Sequence, residues 1–127
     1  MHTQNHGSGF RGLIVYQKAY QVAREIHLLS KSFPRDETFG MRDQIRRSSR
    51  AVAAIVAEAY KRRRYPKAFV SKLIEAAGES AETEVWLDMA HDFGFLSADV
   101  CLPLTDACAE VQRMLESMIN QPEKFCK

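Results

Sequence analysis

Residues 40–64 hold the side chains of this chain with the clearest chemical potential. The stretch reads GMRDQIRRSSRAVAAIVAEAYKRRR and contains eight basic and two acidic residues, a formal charge of +6, whereas the whole chain carries only +2. Cations at this density neutralise phosphates and give salt-dependent, largely sequence-blind binding to nucleic acid. The candidate nucleic-acid-binding residues are Arg42, Arg46, Arg47, Arg50, Lys61, Arg62, Arg63, Arg64 and Lys67.

A structural role is the alternative interpretation of the same cations. Arginines one helical turn apart can pair with an acidic helix, within a subunit or across an interface, and a basic cluster suits the negative end of its own helix. The sequence favours structural roles for Arg46 and Arg47, and exposure for residues 61–64 and Lys67. The acidic residues expected in structural ion pairs are Glu58, Glu82 and Glu84.

The other reactive residue types form no recognisable site. Asp88 and His91 have the acid-x-x-His spacing of di-metal bundles, but such a centre needs that pair on two helices plus further carboxylates. The sequence has no phosphate-binding loop, nucleophile elbow or zinc-ligand spacing. We therefore expect no catalytic residues, no metal and no cofactor. These expectations predict a protein that is not an enzyme.

Length and composition are typical of a single globular domain. The chain has 127 residues, of which 46% are hydrophobic and 27% charged. No apolar run is long enough to span a membrane, and the first residues lack the basic-then-apolar order of a signal peptide. The cysteines are odd in number, at positions 101, 108 and 126, and we expect them to be reduced. These features predict a cytoplasmic protein with no membrane partner.

Apolar residues recur three and four positions apart along four segments, which predicts four amphipathic helices. Pro34, the Tyr65-Pro66 step and Gly94 separate the segments. Short connections and the lack of a strand pattern predict an all-α fold, an antiparallel up-down-up-down four-helix bundle. The expected helices are 13–33, 38–64, 66–93 and 97–119, within a bundle of residues 13–120 between a disordered tail at 1–12 and a frayed C-terminus at 121–127.

Two helices carry features beyond their core stripe. In helix one, a second stripe beside the core predicts contact with more than one neighbour. In helix three, Gly78 lies in the small-residue run AAGESA, although glycine weakens an isolated helix by about 1 kcal/mol relative to alanine. This glycine predicts the close approach of another helix. The second stripe of helix one consists of Tyr16, Tyr20, Ala23 and His27.

Several short motifs, in their order along the chain, resemble a known family of bacterial four-helix-bundle proteins. The family is named after intervening sequences in large-subunit ribosomal RNA genes, and the similarity extends from Leu13 to Ile119. The succession of the motifs is more specific than any one of them. They are Val15-Tyr16-Gln17-Lys18-Ala19, Phe33-Pro34 with Glu37, Gln44-Ile45-Arg46-Arg47-Ser48-Ser49, Ala57-Glu58, and Gly78 with Glu82 and Glu84.

The resemblance implies a left-handed up-down bundle that assembles as a homopentamer. A related protein, the accessory variability determinant of diversity-generating retroelements, is similar and binds RNA and a reverse transcriptase. We therefore expect a non-enzymatic oligomer that binds nucleic acid, RNA in preference to DNA. The alternative is a scaffold ring that recruits another protein through its faces, and a composite catalytic site between subunits is weaker still. Exposed, unpaired cations at residues 61–64 would favour nucleic acid, whereas their burial by a neighbouring subunit's acids would favour the scaffold.

Three positions of helix two depart from the family pattern. The family often has Pro, Asn and Gly where this chain has Ala53, Ile55 and Ala59. Polar and backbone features late in the helix are thus replaced by apolar side chains, and the role of that Asn does not carry over to this chain.

Overall fold

The computed structural model describes residues 9–126, which fold into four long helices with no β-strand. The all-α class predicted from the sequence is confirmed. The long helices are α1 (Ile14–Leu29), α2 (Asp43–Lys61), α3 (Pro66–Asp92) and α4 (Ala98–Asn120). The short turns are 3-10 helices at Gly9–Gly12, Ser30–Ser32, Arg35–Glu37 and Pro122–Lys124, and a π-helical turn at Thr38–Arg42.

The four helices form a bundle in which each helix packs against the next along the chain and α4 closes the square against α1. Residues 62–65 connect α2 to α3 and residues 93–97 connect α3 to α4. Connections this short leave only antiparallel neighbours, so the helices run up-down-up-down as expected. None of the helices among the described residues combines the length and apolar content that crossing a bilayer requires.

The ends of α2 differ from the expected span of 38–64. At its start, Gly40 leaves helical geometry at φ −106° and ψ −110°, and the Met41 N–H is bound by Glu37 Oε1 at 3.0 Å. A Cβ at position 40 would lie only 2.8 Å from that oxygen. At its end, Arg62 turns away at φ −101° and ψ 11°, so that residues 62–65 form a turn before Pro66 opens α3.

The two chain ends were expected to be disordered or frayed. Residues 1–8 of the expected N-terminal tail lie outside the described residues, whereas Gly9–Gly12 form a 3-10 turn that packs against α1 and α2. At the other end, Pro122–Lys124 form a 3-10 turn, and the Phe125 ring stacks on buried Phe69 at a centroid distance of 6.1 Å. Both ends of the described chain are therefore part of the bundle.

The core consists of two hydrophobic clusters, one towards each end of the bundle. Phe69 and Leu73 are fully buried in one cluster, and Ile45 and Leu87 in the other. Burying such side chains stabilises the fold by roughly 1.5–3 kcal/mol each. Free cysteines also lie in this core, where burial raises the pKa of the Cys108 thiol to about 12.

A buried polar contact joins α2 to α3. The hydroxyls of Ser48 and Thr83 lie 2.8 Å apart, and both residues are almost completely inaccessible to solvent. Each hydroxyl also has a carbonyl acceptor in its own helix, Glu79 at 2.9 Å from Thr83 Oγ1 and Ile45 at 3.4 Å from Ser48 Oγ, so either hydroxyl can donate within the pair. The pair fixes the register of α2 against α3, because a slip would leave buried hydroxyls without partners.

The close helix approach expected at Gly78 does not occur within the described chain. Gly78 is exposed, and a Cβ built there would meet no atom within 4 Å. It lies on an outward face of α3 on which each residue, three or four positions after the last, is apolar or small. We call this face the α3 outer stripe. Its members are Ile74, Gly78, Ala81, Val85 and Met89.

The Ser48–Thr83 contact yields a stability prediction. We expect Thr83→Val to lower the free energy of unfolding by about 1–3 kcal/mol, because it leaves the buried Ser48 hydroxyl with only a long local acceptor, the Ile45 carbonyl at 3.4 Å. The double variant Ser48→Ala with Thr83→Val should have a free energy of unfolding closer to that of the wild type, since no buried hydroxyl is left without a partner. Urea unfolding of the wild type, of the single variants Thr83→Val and Ser48→Ala, and of the double variant measures both effects, and additive losses would contradict a coupled pair.

Candidate nucleic-acid interface

Arg46 holds α2 against the end of α1. Its Nε donates to Ser30 Oγ at 2.7 Å and its Nη2 donates to the His27 carbonyl at 3.1 Å. The last carbonyls of a helix lack partners within the helix, so this guanidinium supplies one from a neighbouring element. Burial, together with Arg42 and Arg50 nearby, lowers the pKa of Arg46. Its charge is thus committed to the fold.

Arg47 points to the other side of α2 and pairs with α3. Its Nη2 contacts Glu82 Oε2 at 2.6 Å and Glu79 Oε1 at 3.1 Å. Glu82 Oε2 also accepts the Trp86 indole N–H at 3.0 Å. The hydrogen bonds from Trp86 and Arg47 lower the pKa of Glu82, and the bond to Glu82 raises the pKa of Arg47. Arg47 is therefore neutralised within the chain.

The other two acids expected in ion pairs have different environments. Glu58 Oε1 lies 3.1 Å from Lys72 Nζ, so this carboxylate joins α2 to α3. Glu84 has no cation within 4.0 Å among residues 9–126, which departs from the expectation. It is half-buried near the Cys108 thiol of α4, and burial, then the charge of Asp88, raises its pKa.

Arg42 and Arg50 lie on the same side of α2 as Arg46 but are less constrained. Arg42 Nη2 donates to Thr38 Oγ1 at 3.3 Å. Arg50 is exposed, and its Nη2 lies 3.3 Å from His27 Nδ1, which must accept because a guanidinium can only donate. Partial burial of the His27 ring, followed by Arg46, Lys31 and Arg50, lowers the pKa of His27. This shift favours the neutral imidazole, the form that can accept the hydrogen bond from Arg50.

Four cations around the α2–α3 connection have no acidic partner in the described chain. All four are exposed, and no carboxylate oxygen of residues 9–126 lies within 4.0 Å of them. Arg63 differs, because its guanidinium lies 3.9 Å from the centroid of the Tyr60 ring and donates to the Tyr60 carbonyl at 3.0 Å. We call the four the basic turn: Lys61, Arg62, Arg64 and Lys67.

A groove between α1 and α2, not predicted from the sequence, has Arg24 and Arg50 in its lining. It encloses about 600 Å³, comparable to the roughly 300–1,000 Å³ of small-molecule sites. We call it the α1–α2 groove. The second stripe of helix one indicated a further contact surface on α1. The sequence does not show that small residues of α2 lie opposite that stripe. Its lining residues are Phe10, Tyr16, Tyr20, Ala23, Arg24, His27, Arg50, Ala53, Ala54 and Ala57.

No metal centre is found in the part of the chain that the structure describes. Within residues 9–126, no three His, Cys, Asp or Glu side chains lie together in an arrangement that could hold an ion. Asp88, His91 and Asp92 do share a shallow cleft with α4, but they do not form such a group.

Comparison with known proteins places this bundle in a family. Residues 11–117 match the family model described as 23S rRNA-intervening sequence protein. The chain belongs to this family. It is also similar to a solved structure from Bacteroides thetaiotaomicron, a protein with unknown function from the S23 ribosomal protein family. The two are 27% identical, the match covers 84% of this chain and 98% of that one, and the TM-score is 0.76. No curated protein matches the chain.

The motif QIRRSS, on which the resemblance to the 23S rRNA-intervening sequence proteins rests in part, serves the fold in this chain. Ile45 is in the core, Arg46 binds the end of α1, and Arg47 pairs with α3. Ser48 supplies the buried contact to Thr83. The basic turn lies outside every motif that carries the resemblance.

The different surroundings of Arg46 and Arg47 yield a second prediction. We expect Arg46→Gln to lower the free energy of unfolding by about 1–3 kcal/mol, because two charged hydrogen bonds to α1 are lost. Arg47→Gln should cost at most about 1 kcal/mol, since this ion pair is half exposed to solvent. Urea unfolding measures both, with Arg62→Gln as the exposed control. Equal losses at positions 46 and 47 would contradict the assignment.

Proposed function

We propose that this protein is a non-enzymatic, oligomeric helical-bundle protein that binds RNA through the basic turn and Arg50 of α2. The observation that carries the proposal is the set of four exposed cations without a carboxylate partner in the described chain. We also propose that it acts in the cytoplasm, where its three free cysteines would remain reduced.

The charge distribution supports a polyanionic partner. Arg46 and Arg47 already have partners within the chain, whereas the cations of the basic turn and Arg50 have no acidic partner among the described residues and are accessible. Each cation that neutralises a phosphate releases condensed counterions, and this release favours binding at low salt. For four such contacts we expect the affinity to fall with salt at a log–log slope of about −3 to −4.

RNA is preferred over DNA in this proposal because the accessory variability determinant of diversity-generating retroelements, which is related to the family, binds RNA. Exposed lysines and arginines by themselves bind the phosphates of either polymer. A direct comparison of RNA with duplex DNA is therefore part of the test.

The basic turn yields a third prediction. We expect Arg62→Ser with Arg64→Ser to weaken binding to a structured RNA and to reduce the magnitude of the salt slope by about 1.5, because two phosphate contacts are lost. Arg63 is left in place because it packs on Tyr60. Fluorescence anisotropy across a salt series, with structured RNA and duplex DNA, measures the effect.

The matched control for this experiment is Lys31→Ser with Arg35→Ser. Both residues are exposed and lie at the opposite end of the bundle, between α1 and α2. The control carries the same change in net charge and should leave the slope nearly unchanged. Lack of binding by the wild-type protein at low salt, or equal losses in both double variants, would refute binding through the basic turn.

We further propose that the chain assembles with copies of itself, as a homopentamer on the pattern that the family resemblance implies. The α3 outer stripe supports assembly, because it exposes apolar side chains along one face and has a glycine with open space at its centre. Repetition of the basic turn on each subunit would raise RNA affinity through multivalency. The same stripe also supports the competing function, recruitment of another protein to the assembly.

The α3 outer stripe yields a fourth prediction. If another subunit packs on Gly78, then Gly78→Leu should lower the mass in solution while the helical content is retained, because a large side chain would separate the helices. Light scattering after size-exclusion chromatography and circular dichroism measure the two quantities. Ser117→Leu, at an exposed site on α4, is the control. A monomeric wild type, or an unchanged mass in Gly78→Leu, would contradict assembly through this stripe.

A further inference from the structure

The α1–α2 groove has an aromatic wall and a floor of small residues. Tyr16 and Tyr20 are one turn apart on α1, with ring centroids 6.0 Å from each other, and Phe10 meets Tyr16 edge-on at 5.1 Å. Tyr20 is 53% exposed, so much of its ring surface is available. Opposite the rings, α2 presents alanines, including the exposed Ala54. A planar group can therefore reach the rings without displacing a side chain of α2.

Cations occur at both ends of this aromatic wall, and no carboxylate lines the groove. Arg24 and Arg50 lie at one end. At the other end, Lys61 follows Ala57 by four residues, which places it on the same face of α2. From Arg50 to Lys61 the helix rises about 16 Å, room for roughly four stacked bases at about 3.4 Å each.

We propose that the α1–α2 groove binds an unpaired RNA segment by stacking its bases on Tyr20 and Tyr16, with Arg50 and Lys61 on the flanking phosphates. This inference rests on the proposed RNA-binding function and adds the class of RNA and the site for its bases. Aromatic rings stack on any base whose face is free, and cations beside them bind the backbone. Duplex RNA hides those faces, so it can use only the basic turn.

The charge and shape of the groove favour RNA over a protein segment as its occupant. An acidic peptide could match the cations, but it would leave the exposed ring faces without flat partners. A base satisfies both features at once, because it carries a π-face and is joined to a phosphate. Lys61 of the basic turn follows Ala57 of the groove lining by one helical turn, so the groove and this cation lie on the same face of α2.

The test uses the full chain and a short unpaired RNA oligonucleotide that contains the fluorescent base 2-aminopurine. Wild-type protein should quench the fluorescence by stacking. Tyr20→Ala should weaken binding by about 5- to 140-fold, the usual range for loss of one base–aromatic stack. Tyr20→Phe should retain the affinity, and Phe39→Ala, at an aromatic residue that is 89% exposed elsewhere, should have no effect.

A second variant and a duplex separate the possible outcomes. Ala54→Glu introduces a carboxylate into the groove at an exposed helical site and should also weaken binding of the unpaired strand, while duplex RNA is bound as before by both groove variants. Wild-type protein that binds no RNA refutes this inference together with the proposed function. RNA binding that is lost in Arg62→Ser with Arg64→Ser, but unchanged in Tyr20→Ala and Ala54→Glu, refutes the groove alone. A changed mass of Tyr20→Ala in solution would instead show that the groove holds another copy of this chain, which also overturns the inference.

Discussion

The contact on which the rest of this structure depends is the guanidinium of Arg46 on the end of α1. It supplies donors to the His27 carbonyl and the Ser30 hydroxyl and so fixes where α2 crosses α1. On the opposite side, Ser48 and Thr83 fix α2 against α3. Because α2 is held on both sides, a space remains beside its small residues, and this space is the α1–α2 groove. The last residue of α2, Lys61, begins the basic turn, which lies outside the core. The candidate interface is thus a consequence of the position of α2 between α1 and α3.

The same anchoring divides the positive charge of α2 into two groups. Arg46 and Arg47 have partners within the chain: Arg46 donates to the His27 carbonyl and the Ser30 hydroxyl at the end of α1, and Arg47 pairs with two carboxylates of α3. The cations of the basic turn have none among residues 9–126, because Glu58, one turn before them on α2, pairs with Lys72, and the acidic residues of α3 follow Pro66 by at least two turns. They are exposed to solvent and accessible to a polyanion from outside the chain, and this accessibility underlies both the proposed RNA contact and its dependence on salt.

Much of the fold was predictable because it depends on local patterns, whereas several site features were not. Apolar periodicity and the breaks at Pro34, Pro66 and Gly94 were sufficient for the all-α bundle, since an amphipathic helix must bury its apolar face. The end of α2 at Lys61 was not, because basic residues continue a helix as readily as they end one. Gly78 predicted a close contact that the described chain does not make, and Glu84 lacks the ion pair expected of it. The surroundings of Gly78 and Glu84 depend on how α3 is rotated about its axis in the bundle, which its sequence alone does not fix.

The sequence by itself determined the helix count, the family and the excess of positive charge in residues 40–64. These properties follow from composition and short-range order along the chain. Only the tertiary structure decided which cations are already paired, that the tyrosines of α1 face alanines of α2, and that the α3 outer stripe has no partner in the described chain. Such properties join residues that are distant in sequence, and their energies depend on the distance and burial that packing alone sets.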